Sequence, residues 1–335
     1  MTGRSLLRAL VETPSVSGGE GAAAAVLADA FRAADREVFV DDVGNVRAPG
    51  DDALLLTSHV DTVPGEIPVR VEDGELWGRG AVDATGALAA MATAAIETGA
   101  SFAGVVEEET TSRGARHLIE DRDPPDAVVN GEPGGWDGVV LGYRGFRAGT
   151  YAVERPAAHT SREDATAVER AIEWWPRVTA AVEGDGSAFE SVTATAVGTE
   201  GGVSADGLRT EATVDAEFRL PPGTTGADLA ATVASVTDEG DLAWDRAIPP
   251  VLESPRTPVA RALRAGIRER GGAPTHLRKT GTSDMNLYAA AWDVPMATYG
   301  PGNADLDHAP DERLDLAGFD RAVDVLTHAA DRLVG

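Results

Sequence analysis

Ala53-Leu54-Leu55-Leu56-Thr57-Ser58-His59-Val60-Asp61-Thr62 is an apolar run that reads as a strand over 53–59 and ends in a histidine and an aspartate. Upstream, two helices are expected over 5–12 and 20–34, followed by a strand over 37–40. Downstream come a strand over 75–77, a small-residue helix over 85–97, and strands over 103–106 and 127–129 with a helix over 115–120 between them. Strands alternating with helices predict an α/β fold whose mixed or mainly parallel sheet is covered on both faces. From about 147 to 247 the order changes to strand 148–153, helix 165–182, strands 191–197 and 211–218, helix 227–236 and strand 242–244. That β-α-β-β-α-β order is the ferredoxin-like split unit. Alternation then resumes through 257–270, 295–299 and 317–333. The expected architecture is a discontinuous larger α/β domain (1–146 and 249–335), its central mixed sheet flanked by helices. A smaller ferredoxin-like α+β domain is inserted over 147–248.

The chain has 335 residues, a length that suits two domains. Its net charge of −26 repels phosphate backbones and anionic lipid, so neither nucleic acid nor a membrane surface is an expected partner. Lys279 is the only lysine among 29 basic residues. An acidic, lysine-poor, alanine-rich chain fits a halophilic protein, because at ~1 M salt the Debye length shrinks to about 3 Å and carboxylate repulsion is screened. A GC-rich genome explains the arginine but not the acid excess. Cysteine is absent, which excludes disulfides and thiolate metal sites. Glu12 interrupts the N-terminus too early for a secretory signal, and a cytoplasmic location is expected.

Several stretches carry candidate chemistry. In a strand, His59 and Asp61 face the same way, and an aspartate that fixes one imidazole nitrogen leaves the other for a metal. A satisfied structural histidine is the plain alternative. Asp83, in Gly78-Arg79-Gly80-Ala81-Val82-Asp83-Ala84-Thr85-Gly86, precedes a helix and reads either as its N-cap or as a carboxylate bridging two cations. Glu107-Glu108-Glu109 ends a buried strand, where open α/β sheets place ligands. Counting back from the Ser112-Arg113-Gly114 turn assigns Glu108 as general base and Glu109 as metal ligand, with Glu107 in reserve. Glu132 follows another buried strand, and His308 lies in a turn-rich loop before the last helix. Two histidines and three carboxylates suit zinc or cobalt.

With these residues in this order, the chain resembles the dinuclear metallo-aminoacylases and peptidases of the acetylornithine deacetylase, succinyl-diaminopimelate desuccinylase and carboxypeptidase G type. In 78–86, 107–116, Gly142-Tyr143-Arg144-Gly145 and 279–286 it is most similar to the compact hydrolases that release lysine or ornithine from the amino-group carrier protein LysW. The resemblance implies two Zn2+ or Co2+ ions per subunit. His59, Asp83 and Glu132 would hold one, and Asp83, Glu109 and His308 the other. Asp61 would orient His59, and Glu108 would take the proton of the attacking water. It further implies that 1–146 and 249–335 form the catalytic domain and that the inserted domain is a lid and dimerisation domain, with His159 stabilising the oxyanion across a homodimer built through the lids. Arg219 would grip a substrate carboxylate, although a surface ion pair is its plain alternative, and Gly281, Thr282 and Ser283 would form a substrate loop. The implied partner is an acidic LysW-like carrier bearing lysine or ornithine. Acetylornithine deacetylase or dipeptidase activity on small acyl amino acids is the alternative, and a non-catalytic binding paralogue a more distant one. His117, His276 and His328 match no motif and are expected to be structural.

Overall fold

In the computed structural model the described residues are 2–159, 161–162 and 164–334. They form two compact units. One comprises residues up to Leu141, Glu253–Arg278 and the chain from Ser283 on; the other comprises Gly142–Leu252 with Lys279–Thr282.

The first unit is built on a mixed sheet. Its strands run in the order Phe39–Val40, Val46–Ala48, Ala100–Val105, Asp51–His59, Val128–Gly131, Met296–Thr298 and Gly138–Tyr143. The four strands from Ala100–Val105 to Met296–Thr298 are parallel to one another, and antiparallel neighbours flank them. Parallel strands need both faces covered, and the sequence complies. Asp51–His59 is fully buried from Leu54 onward, and Ala100–Val105 is buried throughout.

The helix Thr85–Thr98 buries ten of its residues, six of them alanines, which lets it approach its neighbours closely. It packs on the strands Asp51–His59 and Ala100–Val105 and on the helices Gly3–Val11 and Leu316–Val334. It ends at Gly99, whose φ of 83° is the left-handed geometry that glycine adopts without strain. The register matters most for function. Ser58 stands opposite Gly104 and Gly131, so the carboxyl ends of three adjacent parallel strands lie level.

The second unit is a four-stranded antiparallel sheet in the order Thr193–Val203, Arg209–Leu220, Gly145–Pro156, Asp241–Trp244. With the helices Ala167–Val182 and Gly226–Ser235 this is the β-α-β-β-α-β topology expected of the insertion. Its core includes Trp174, stacked on Tyr151 at 4.1 Å between ring centroids, together with Phe218, Leu220, Leu229 and Val233. The unit also takes in Lys279–Thr282, far away in sequence. Among the described residues no helix is long and apolar enough to cross a membrane.

Candidate metal centre and active site

Five of the residues singled out by sequence lie at or beyond the carboxyl ends of the sheet's four parallel strands. His59 is the last residue of its strand. Glu108 and Glu109 follow Ala100–Val105, and Glu132 directly follows Val128–Gly131. His308 lies in the loop after Met296–Thr298. All four parallel strands thus deliver ligand-type side chains at their carboxyl ends, where an open sheet leaves a crevice. Asp83 comes from the loop before the Thr85–Thr98 helix. It is not the helix cap: that position is Ala84, with no side-chain capping bond, because the Asp83 carboxylate is turned to two histidines instead.

Asp83 Oδ1 lies 3.3 Å from His59 Nε2, and Asp83 Oδ2 lies 3.1 Å from His308 Nε2. Glu109 Oε1 is 3.0 Å from the same His308 nitrogen. Two triads result, His59–Asp83–Glu132 and Asp83–Glu109–His308, each with ligand atoms within 4.8 Å of one another. Each offers one imidazole and two carboxylates, and they share Asp83. Nitrogen and oxygen donors in this ratio fit a borderline divalent cation such as zinc or cobalt.

His59 is buried, and its Nδ1–H donates to the backbone carbonyl of Asp61 at 2.9 Å, which leaves Nε2 facing Asp83. The Asp61 carboxylate was expected to accept that proton; its nearer oxygen stands off at 3.5 Å. Its two oxygens instead accept the backbone N–H groups of Glu108 at 3.0 Å and Glu109 at 3.1 Å, and one also accepts the Ser17 hydroxyl at 2.8 Å. Asp61 therefore fixes the peptide carrying both glutamates as well as the histidine. Glu107 begins that peptide with φ 58° and turns outward, where Arg113 and Thr111 hold its carboxylate. The structure separates it from the triads.

The electrostatics are those of a crowded anionic site. Burial lowers the affinity of His59 for a proton, but the nearby carboxylates of Asp61 and Asp83 and the charges of Glu132 and Glu108 raise its pKa well above the ordinary value. The Asp83 bond, against partial desolvation, raises His308 to about 9, with Glu109 adding to it. Burial would raise Asp83, yet the bonds to His308 and His59 hold its carboxyl below the usual carboxylate range. Glu108 is pushed well up by burial and by the charge of Glu132. Glu109 is raised by burial and by Asp83. Carboxylates destabilised by one another are stabilised by a cation in their midst.

Two residues near the site were given no role of their own by the sequence, Asp284 being only the end of the Gly281–Asp284 stretch matched to a substrate loop. Asp284 opens the helix Asp284–Ala291, is 2 % exposed, and is raised to about 6 by burial, with the charge of His59 and a bond to Ser112 opposing. Glu312 is wholly buried under the Asp83 loop. Ser283 caps the Asp284–Ala291 helix in a capping box with Asn286, a role that Ser-x-x-Asn in the sequence could have signalled. In the second unit, Arg219 donates to Thr282 Oγ1 at 3.4 Å and lies over Phe146, and Gly281 precedes Thr282 in the same unit. His159 is exposed, with Nδ1 2.9 Å from Ser161 Oγ. Outside the triads, His117 stands near Asp41, His276 by Arg264 and His328 by Glu269, contacts of ordinary structural histidines.

The fold and the two triads define a class, metal-dependent hydrolases built on a mixed α/β sheet. Residues 55–332 match the model of peptidase family M20/M25/M40, and the chain belongs to that family; it is a hydrolase of amide bonds. It is 42% identical to the LysW-lysine hydrolase of Deinococcus radiodurans, over 99% of this chain and 97% of that protein. It is 36% identical to a protein named LysW-lysine/LysW-ornithine hydrolase in Thermococcus kodakarensis, over 98% and 91%. Among solved structures, aminopeptidase PepT from Bacillus cereus superposes with a TM-score of 0.82 at 19% identity, each chain covered in full. A dinuclear metal-binding M20 peptidase from Bacillus subtilis gives 0.76 at 13%, covering 99% and 97%. These two likenesses speak to the fold.

Proposed function

We propose that this chain hydrolyses the amide linking lysine or ornithine to an acidic, LysW-like amino-group carrier protein, in lysine and arginine biosynthesis in the cytoplasm. In this reading His59, Asp83 and Glu132 hold one ion and Asp83, Glu109 and His308 the other, both Zn2+ or Co2+. The observation that carries the site is the division of Asp83, one oxygen to each histidine. The full-length similarity to proteins named for LysW-linked substrates supports the choice of substrate.

Two divalent ions in such a site supply Lewis acidity, acidifying water and polarising a carbonyl. The protein's own residues do the rest. Glu108, made more basic by burial and by Glu132, takes the proton of the attacking water and returns it to the leaving amine. Asp61 holds the peptide that aims Glu108 and Glu109. His159 donates to the developing oxyanion, from the partner subunit of a homodimer joined through the inserted unit. Arg219, set beside Thr282 with Gly281 and Ser283 in the adjoining loop, receives the carboxylate of the amino acid.

A second reading, a deacylase of free acyl amino acids or a dipeptidase, draws support from the net charge of −26, which repels an acidic carrier unless salt screens it. Metal-loaded protein in high KCl, incubated with carrier-linked lysine, carrier-linked ornithine and N-acetylornithine, separates the two. Free lysine or ornithine from the carrier alone is expected. Turnover of N-acetylornithine with none of the carrier substrates would overturn the carrier reading.

A further inference from the structure

We propose that Glu312 is a positioning residue of this centre: its buried carboxylate sets the loop that carries Asp83 and ties that loop to the segment that carries His308. This rests on the metal-binding reading above.

Glu312 is 0 % exposed, and each of its oxygens accepts two hydrogen bonds. Oε1 takes the backbone N–H groups of Val82 at 2.8 Å and Asp83 at 3.1 Å. Oε2 takes the N–H of Gly80 at 3.1 Å and Nη1 of Arg79 at 2.8 Å. Three of the four successive amides from Gly80 to Asp83 thus converge on one side chain. Their donors all point inward because Gly80 turns the loop with φ 79°. A Cβ there would come within 2.5 Å of Thr62 Cγ2, so the loop is held from outside as well. The same Arg79 nitrogen also donates to the carbonyl of Ala309, directly after His308, at 3.3 Å. Glu312 itself follows His308 by four residues and leads into the strand Arg313–Asp315, which pairs with Glu75–Trp77.

One carboxylate therefore fixes the bridging aspartate by its own peptide N–H and belongs to the segment that presents the second histidine. An apolar residue here would fill the space but leave three loop N–H groups and Arg79 without this acceptor, so the carboxylate is what holds the loop in this shape. Here its geometry has one consequence: the loop that carries Asp83 and the segment that carries His308 are tied together through Glu312 and Arg79. Partners of this kind, one bond behind the ligands, commonly govern affinity for the ion.

Glutamine at 312 keeps the shape but has one acceptor oxygen. Whichever way the amide turns, its NH2 meets two N–H donors. Aspartate keeps both acceptors on an arm one methylene shorter. Metal-free wild type, Glu312→Gln and Glu312→Asp are to be titrated with Co2+, following the visible absorption bands and the heat of binding. The expected result is a loss of affinity of about 10–100-fold in Glu312→Gln for the ion that needs both Asp83 and His308, with altered band intensities, and partial recovery in Glu312→Asp. Leu326→Ala, a cavity in the C-terminal helix far from the loop in sequence, serves as a control that lowers the melting temperature without moving the affinity. Wild-type affinity and spectra in both Glu312 variants, or affinities that merely follow the melting temperatures, would overturn the proposal. Should Glu312→Gln not fold, wild-type affinity in Glu312→Asp overturns it alone. Failure of the wild type to bind Co2+ would instead sink the metal-site reading.

Discussion

Replacing Glu108 by glutamine isolates proton transfer from metal binding, because the structure gives the three consecutive glutamates three different surroundings. The Glu108 side chain lies outside both ligand triads, and its peptide N–H is held by Asp61 whatever the side chain is. Glutamine preserves the shape, so both ions should remain. What is lost is a carboxylate made unusually basic by burial and by Glu132. Loss of a general base costs ~10²–10⁴-fold, or about 2.7–5.5 kcal/mol in the barrier, and the raised basicity of Glu108 places the expectation in the upper half of that range. Glu109→Gln should instead weaken binding of the ion shared with His308, since Glu109 is one of only three ligand groups there. Glu107→Gln should do neither, because its partners are Arg113 and Thr111 at the surface, and exposed pairs of that kind are worth roughly 0–1 kcal/mol. The assay is single-turnover amide hydrolysis beside metal analysis of each variant. Retention of more than a tenth of wild-type kcat by metal-replete Glu108→Gln, or collapse of Glu107→Gln, would refute this assignment.

Three other outcomes are expected. His308 titrates near 9 in the metal-free protein, so at pH 8 it is charged and must lose its proton to bind an ion. Calorimetry in buffers of different ionisation enthalpy should show proton release at pH 8, smaller above pH 9, that falls by close to one proton in His308→Ala; an unchanged release in that variant would contradict it. The sign for stability follows: a raised histidine pKa stabilises the metal-free fold fully below the unfolded value of 6.5, and that contribution is lost as pH rises through about 9. In the salt series, melting temperature should climb between 0.1 M and ~2 M KCl as the net charge of −26 is screened, and a flat profile would remove the halophile reading. Finally, mixing inactive His159→Ala with inactive Glu108→Gln should restore roughly a quarter of wild-type activity per subunit after statistical exchange, if His159 works across a dimer. No recovery after verified exchange would confine His159 to its own subunit.

Much of this was legible in the sequence because the ligands are placed by strands. Apolar runs locate the buried strands, and a polar residue at the end of each must face the crevice, so His59, Glu109 and Glu132 could be read locally. The short strands Val46–Ala48, Arg70–Glu72 and Arg313–Asp315 could not, since three residues carry no periodicity. Asp83 resembled a helix cap because it stands just before the Thr85–Thr98 helix, and only the distant His59 and His308 reveal what its oxygens face. Asp61 holding the Glu108 and Glu109 amides, and Glu312 holding the Asp83 loop, join residues about fifty and more than two hundred positions apart. Glu312 in Asp311-Glu312-Arg313 looks like a solvated charge run until the fold buries it.

Anomalous diffraction from zinc-loaded crystals tests directly whether Asp83 is shared between two metal ions. Two peaks are expected, with Asp83 bound to both, His59 and Glu132 completing one, and Glu109 and His308 the other. A single peak at full loading, or two ions of which Asp83 touches only one, would contradict that sharing.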